Sequence, residues 1–220
     1  MRTAQCVQHY HSLCQQLALL EKKYPAREPL ILLVASKYAT VEEILALYQA
    51  GQRAFAENYW QAAQKKMQAL KDLEIVWHFI GHLQSNKCAE IATHFSWVHS
   101  VAKLKHIALL AKARKFSPPL QICLQVNFNE NVDKYGASPK NLSAFIHEVL
   151  QYPQLRLRGL MVLPLPGMTE DFLKLAELRD RLEQNFSIAL PTLSMGMSQD
   201  YPAAIQAGAT IVRIGSLLFK

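Results

Sequence analysis

Eight short apolar runs punctuate the chain, and segments of helical periodicity fill the gaps between them. The runs are 30–37 (LILLVASK), 53–58 (RAFAEN), 75–81 (IVWHFIG), 97–101 (WVHSV), 120–127 (LQICLQVN), 157–164 (LRGLMVLP), 192–197 (TLSMGM) and 210–219 (TIVRIGSLLF). The first five begin about 22 residues apart, the length of a compact strand–helix unit. Near-continuous apolar runs suit strands buried on both faces, as in a parallel sheet.

The intervening segments carry helix signals. In residues 40–51 (TVEEILALYQAG), Thr40 and Glu43 have capping-box spacing and Gly51 marks the end. Similar patterns occupy 58–71, 102–115, 138–151 and 169–186, with Ser138 and Pro139 at one start. Eight strands alternating with helices, with no Pro/Gly-rich linker, predict an α/β fold: a single (β/α)8 TIM barrel domain over residues 1–220. The chain opens with an extra N-terminal helix at 4–23, expected to fill the slot a helix after strand eight would otherwise occupy. A doubly wound open sheet is the alternative. It calls for a GxGxxG turn after a strand, which the sequence lacks.

Half of the 220 residues are hydrophobic and 19 % are charged, so a large core can form. The net charge of +7 favours anionic partners. The basic residues are scattered, however, and the densest set (Lys103, Lys105, Lys112, Arg114, Lys115) reads as the solvated face of a helix. No nucleic-acid surface is therefore expected. The N-terminus has no long apolar stretch, and no segment approaches a membrane span of about 20 apolar residues. Cys6, Cys14, Cys88 and Cys123 form no CxxC pair, so neither a disulfide framework nor a zinc site is expected, and a cytoplasmic location fits.

In a barrel the C-terminal strand ends share one mouth. Arriving there are Lys37, Asn58, Gly81 with His82, Ser100, Asn127, Pro164, Met197 with Ser198, and Arg213 to Ser216. Lys37 is a candidate amine nucleophile, because a partly desolvated amine loses its proton more readily. The alternative is an ammonium that simply reaches water. Residues 194–198 (SMGMS) precede a short helix at about 199–207, and Gly215 follows the core of strand eight; both loops resemble phosphate cradles. A lysine opposite such cradles suggests pyridoxal 5′-phosphate (PLP), with Arg213 facing the pyridine nitrogen. The other reading of Arg213 is an ion pair with an acidic neighbour such as Glu57. His78 and His82 lie on a strand without an evident third ligand, so no metal is expected. Asp133 to Gly136 is either a solvated turn or a lid near the mouth.

The motifs together resemble one family. They are Val34-Ala35-Ser36-Lys37, Glu57-Asn58-Tyr59, residues 77–81 (WHFIG), residues 83–87 (LQSNK), Gly159-Leu160-Met161, residues 193–198 (LSMGMS) and Val212-Arg213-Ile214-Gly215. In this order, over nearly the whole chain, they are similar to the PLP homeostasis proteins. The resemblance implies a barrel like the N-terminal domain of alanine racemase and PLP held as a Schiff base on Lys37. It implies cofactor-binding roles for Asn58 beside the ring, Arg213 at the pyridine nitrogen, and Ser198 (with Met197), Gly215 and Ser216 near the phosphate. It further implies intracellular vitamin B6 homeostasis without established catalysis, with apo PLP-dependent enzymes as partners. A monomer is expected.

Two departures stand out: Ala56 replaces the usual glycine, and the chain ends at Phe219-Lys220 rather than in a short tail. The alternative function is a racemase-like PLP enzyme. Racemisation needs a second base, for which Tyr59 and Tyr135 are the nearby phenols, and no length is expected to remain for a second domain. A metal-free aldolase using Lys37 without PLP is a third class.

Overall fold

A computed structural model describes residues 2–129 and 135–219. Its eight strands pair in parallel, each with its sequence neighbour, and β1 (Ile31–Ala35) pairs with β8 (Ile211–Ile214) to close the barrel. Between them come β2 (Ala54–Glu57), β3 (Val76–Phe79), β4 (Trp97–Val101), β5 (Leu120–Val126), β6 (Leu155–Val162) and β7 (Thr192–Ser194). The barrel expectation holds, and the alternative of an open sheet does not.

The helices are α1 (Arg2–Lys23), α2 (Val41–Gln49), α3 (Trp60–Ala69), α4 (Cys88–His94), α5 (Leu104–Ala113), α6 (Leu142–Leu150), α7 (Glu170–Phe186), α8 (Tyr201–Gln206) and α9 (Ser216–Phe219). The capping box at α2 is formed: the Glu43 amide donates to Thr40 Oγ1 (3.2 Å), and the Thr40 amide donates to Glu43 Oε2 (2.8 Å). Two orphan donors of the first turn are thereby satisfied. Helix α1 buries Cys6, Tyr10, Leu13 and Leu17, a stripe at helical spacing, and packs against α2, α8 and α9. It thus closes the outer ring between the last and first strands, as expected.

Strand alternation divides the apolar residues into two cores. Leu33, Ala56 and Ile211 form the inner one, with Ala54, Ile80 and Trp97 against them. The larger core lies between barrel and helices and includes Val34, Phe55, Phe79, Val98 and Val212.

Three expectations are corrected. Residues 210–219 do not form one strand: β8 stops at Ile214, and Ser216–Phe219 turn into α9, where the Leu218 and Phe219 amides donate to the Gly215 carbonyl. The seventh run is a strand only to Ser194, because Gly196 adopts a left-handed φ of +89° and turns the chain toward α8. Arg114 does not belong to a solvated face. It is buried, and its guanidinium donates to the carbonyls of Ala92, Phe95 and Pro118. Lys103, Lys105, Lys112 and Lys115 are exposed. All four cysteines are free thiols. No helix among the described residues is long and apolar enough to cross a membrane.

Candidate functional site

The mouth is organised by the meeting of the first and last strands. Leu33 on β1 is the register partner of Arg213 on β8, and Lys37 lies further along the β1 line, at the rim. A Cβ on Gly215 would stand 2.8 Å from the Ala35 carbonyl oxygen, so only glycine lets this turn settle on the end of β1. The turn and the lysine segment are thereby held side by side. In the first turn of α9 the Ser216 and Leu217 amides have no intrahelical acceptor. Ser216 itself is exposed.

Lys37 is exposed rather than desolvated, and its ammonium sits over the Tyr38 ring, 4.7 Å from the centroid. Of the two readings open from the sequence, a partly desolvated amine and an ammonium that reaches water, the described structure shows the second. The backbone beneath Lys37 is fixed. Ser36 is fully buried; its hydroxyl contacts the Ala56 carbonyl and donates to Glu57 Oε1 (2.7 Å), and its carbonyl accepts from Lys66 Nζ (2.6 Å). Lys66 also pairs with Glu57 Oε1 at 2.7 Å.

Arg213 is 4 % exposed and points into the barrel. Its Nη1 donates to Ser194 Oγ and its Nη2 to the Val162 carbonyl, both at 2.9 Å. The ion pair with Glu57 considered from the sequence is not formed, because Glu57 points outward and is taken by Lys66. Among the described residues Arg213 has no carboxylate within ion-pair distance. Burial pulls it down to about 10, against the favourable field of Asp200, so it stays cationic at neutral pH. A buried cation held only by neutral acceptors is suited to an electron-rich ligand atom.

The other expected residues fall as follows. Asn58 is half-buried and lines a cavity of about 90 Å³ with Tyr59, Gln61, His82 and Gln84. Ser198 is half-buried. Met197 is 38 % exposed, and its amide donates to Asp200 Oδ1 (2.6 Å), so this amide of the supposed cradle is already occupied. His78 and His82 are not paired: His78 is buried against His99, whereas His82 packs at a tilt of 39° against Tyr135 with centroids 3.8 Å apart. The Tyr135 hydroxyl donates to the Ser100 carbonyl (3.0 Å), and burial raises its phenol to about 12. Asp133 and Lys134 lie outside the described residues.

Sequence reasoning missed three contributors: the Ser194 hydroxyl, the Val162 carbonyl and His99. The signal for His99 was its place in WVHSV, where alternation puts it on the inward face with Trp97.

The family described as alanine racemase, N-terminal domain, matches residues 18–220. The pyridoxal phosphate homeostasis protein of Pseudomonas aeruginosa is 47 % identical over 191 residues, spanning 86 % of this chain and 83 % of that protein. Its counterpart from Vibrio cholerae is 42 % identical over 219 residues, spanning 95 % and 92 %. PipY of Synechococcus elongatus, solved with PLP bound, matches with a TM-score of 0.87 and 32 % identity over 98 % of this chain and 100 % of that one. Alanine racemase of Corynebacterium glutamicum matches at TM-score 0.71 and 10 % identity, over 98 % of this chain and 60 % of that one, which is a likeness of fold.

Proposed function

The chain belongs to the alanine racemase N-terminal domain family and, within it, to the pyridoxal phosphate homeostasis proteins, and from that premise we propose that it binds PLP at the barrel mouth and holds it without turning over a substrate. The observation that carries this is Arg213: a buried guanidinium with no ion-pair partner among the described residues, in register with the strand that leads to Lys37. The residues fit the group. Arg213 would donate to the pyridine nitrogen. Ser216, beside Gly215, and Ser198 would donate to the phosphate, and the short side chains of Ala54 and Ala56 belong to the inner core on the β1–β2 side of the barrel. Asn58 would lie at the ring's edge.

PLP supplies an aldehyde that condenses with a primary amine, and Lys37 is the amine proposed to take it. Because a guanidinium cannot accept a proton, Arg213 would keep the ring nitrogen of a bound PLP unprotonated and so weaken it as an electron sink. Tyr135 is a poor candidate for a second base: its hydroxyl is committed to a backbone carbonyl and its phenol is pushed up to about 12. These features favour a holder of PLP, with apo PLP-dependent enzymes as recipients, over a racemase. Four free thiols suit a reducing cytoplasm.

The test is spectroscopic. Protein mixed with PLP is expected to show the visible band of a lysine-bound pyridoxal, and borohydride is expected to fix one PLP on Lys37. Lys37→Ala is expected to lose both; a Lys37→Ala protein that still traps PLP at full stoichiometry would place the cofactor elsewhere. Turnover of amino acids at about 1 per second or faster would overturn the non-catalytic assignment.

A further inference from the structure

A single file of buried side chains crosses the barrel below the mouth. It begins at Arg213 on β8, whose Nη1 donates to Ser194 Oγ on β7. Ser194 Oγ lies 2.7 Å from His99 Nδ1 on β4, and His99 Nε2 lies 2.9 Å from His78 Nδ1 on β3. Ser194 and His99 are fully buried, His78 is 2 % exposed, and the His78 ring is stacked on Trp97 with centroids 5.3 Å apart and planes 11° from parallel. Since β4 and β7 are not neighbours in the barrel, the Ser194–His99 contact spans the interior.

The direction of this file is set from its arginine end. A guanidinium only donates, so Ser194 Oγ accepts from Arg213. The serine has one proton, and its other partner among the described residues is His99 Nδ1. Donating there makes Nδ1 an acceptor, and the neutral His99 ring then carries its proton on Nε2. That proton goes to His78 Nδ1, which leaves the His78 proton on Nε2 as well. Burial keeps both rings neutral, lowering His78 to about 3 and His99 well below the ordinary histidine range.

We propose that His99 is a positioning residue for the ligand: together with Ser194 and His78 it forms a one-way hydrogen-bond file that aims the Arg213 guanidinium at the ring-nitrogen position through neutral acceptors, without an ion pair among the described residues. This rests on the PLP assignment above. A carboxylate in place of the file would orient the guanidinium and also quench it, because a paired arginine has less to offer an incoming acceptor. The neutral file separates the two effects.

Two measurements test it. The first needs no ligand. Long-range proton–nitrogen NMR on protein labelled with 15N-histidine, near pH 7, is expected to find the Nε2–H tautomer at both His99 and His78; an Nδ1–H tautomer at His99 reverses the file and overturns the proposal. The second is PLP titration by the visible band. His99→Leu is expected to weaken PLP binding on the order of tenfold, the scale of one hydrogen bond to a charged group. It should still give the Lys37 adduct at saturating PLP. His99→Asn, whose side-chain oxygen can accept from Ser194, is expected to recover most of the loss. If His99→Leu does not fold, Ser194→Ala cuts the file at its next link and is expected to show the same weakening. A folded His99→Leu or Ser194→Ala protein that binds PLP within about twofold of the parent leaves the file a packing device only and overturns the proposal. An absent Lys37 adduct in the parent protein would instead defeat the PLP assignment, while the tautomer measurement would still decide the direction of the file.

Discussion

Gly215 and Ala35 approach so closely that a Cβ on the glycine would stand 2.8 Å from the alanine's carbonyl oxygen and 3.3 Å from its methyl group. The atom in the way is backbone, which cannot rotate aside. Gly215→Ala is therefore expected to push the turn off β1, weaken PLP binding, and cost about 1–3 kcal/mol of stability, the range for overpacking. Urea unfolding and PLP titration of the same variant check both effects. Unchanged affinity alongside lowered stability would show that the turn does not contact the ligand.

The ion pair behind Lys37 supports a second expectation. Glu57 is fully buried, its Oε1 is shared by Lys66 and Ser36, and its Oε2 has no hydrogen-bond partner among the described residues. Removing the ammonium would strand a buried carboxylate, so Lys66→Met is expected to destabilise the protein by about 3–5 kcal/mol. The double variant Lys66→Met with Glu57→Gln is expected to recover part of that, because the charge goes with its partner. Denaturant midpoints of the single and double variants give the coupling directly. An additive pair would mean that the contact is energetically empty.

The two inward histidines predict an acid sensitivity of defined sign. Both are held below their unfolded value, His78 at about 3, chiefly by burial. The unfolded chain therefore binds more protons than the folded one between the two values. The histidine contribution to stability is complete above the unfolded pKa of about 6.5 and is lost as the pH falls below it, at about 1.4 kcal/mol per pH unit for each ring. Unfolding free energies measured between about pH 7 and pH 5 are expected to decline accordingly, and His99→Asn is expected to remove one ring's share of the slope. A flat profile in the parent protein would mean that the rings titrate in the folded state as they do in the unfolded chain.

Much of the architecture was legible in the chain because buried parallel strands leave a strong local mark. WVHSV became β4 over its full length, and the Thr40–Glu43 box capped α2 as its spacing required. The run 210–219 was misjudged for a physical reason: its residues are apolar enough for a strand throughout, yet the break at Gly215 is imposed by the approach of Ala35, a residue distant in sequence. Arg114 was misread likewise, since its burial depends on carbonyls from the α4 region and from Pro118 that no helical wheel contains.

At the candidate site the division is sharper. The sequence alone brought Lys37, Arg213 and Gly215 to one end of a barrel, because strand order and alternation dictate which residues reach the mouth and which face inward. It left open whether Arg213 pairs with Glu57, and whether Lys37 is buried. Tertiary structure decided both: Glu57 faces the helices and is claimed by Lys66, whereas Lys37 stands open at the rim above Tyr38. The line from Arg213 through Ser194 and His99 to His78 joins four separate strands. It exists only once the barrel closes, because closure brings inward-facing polar groups from opposite walls within hydrogen-bonding distance and excludes the water that would otherwise satisfy them.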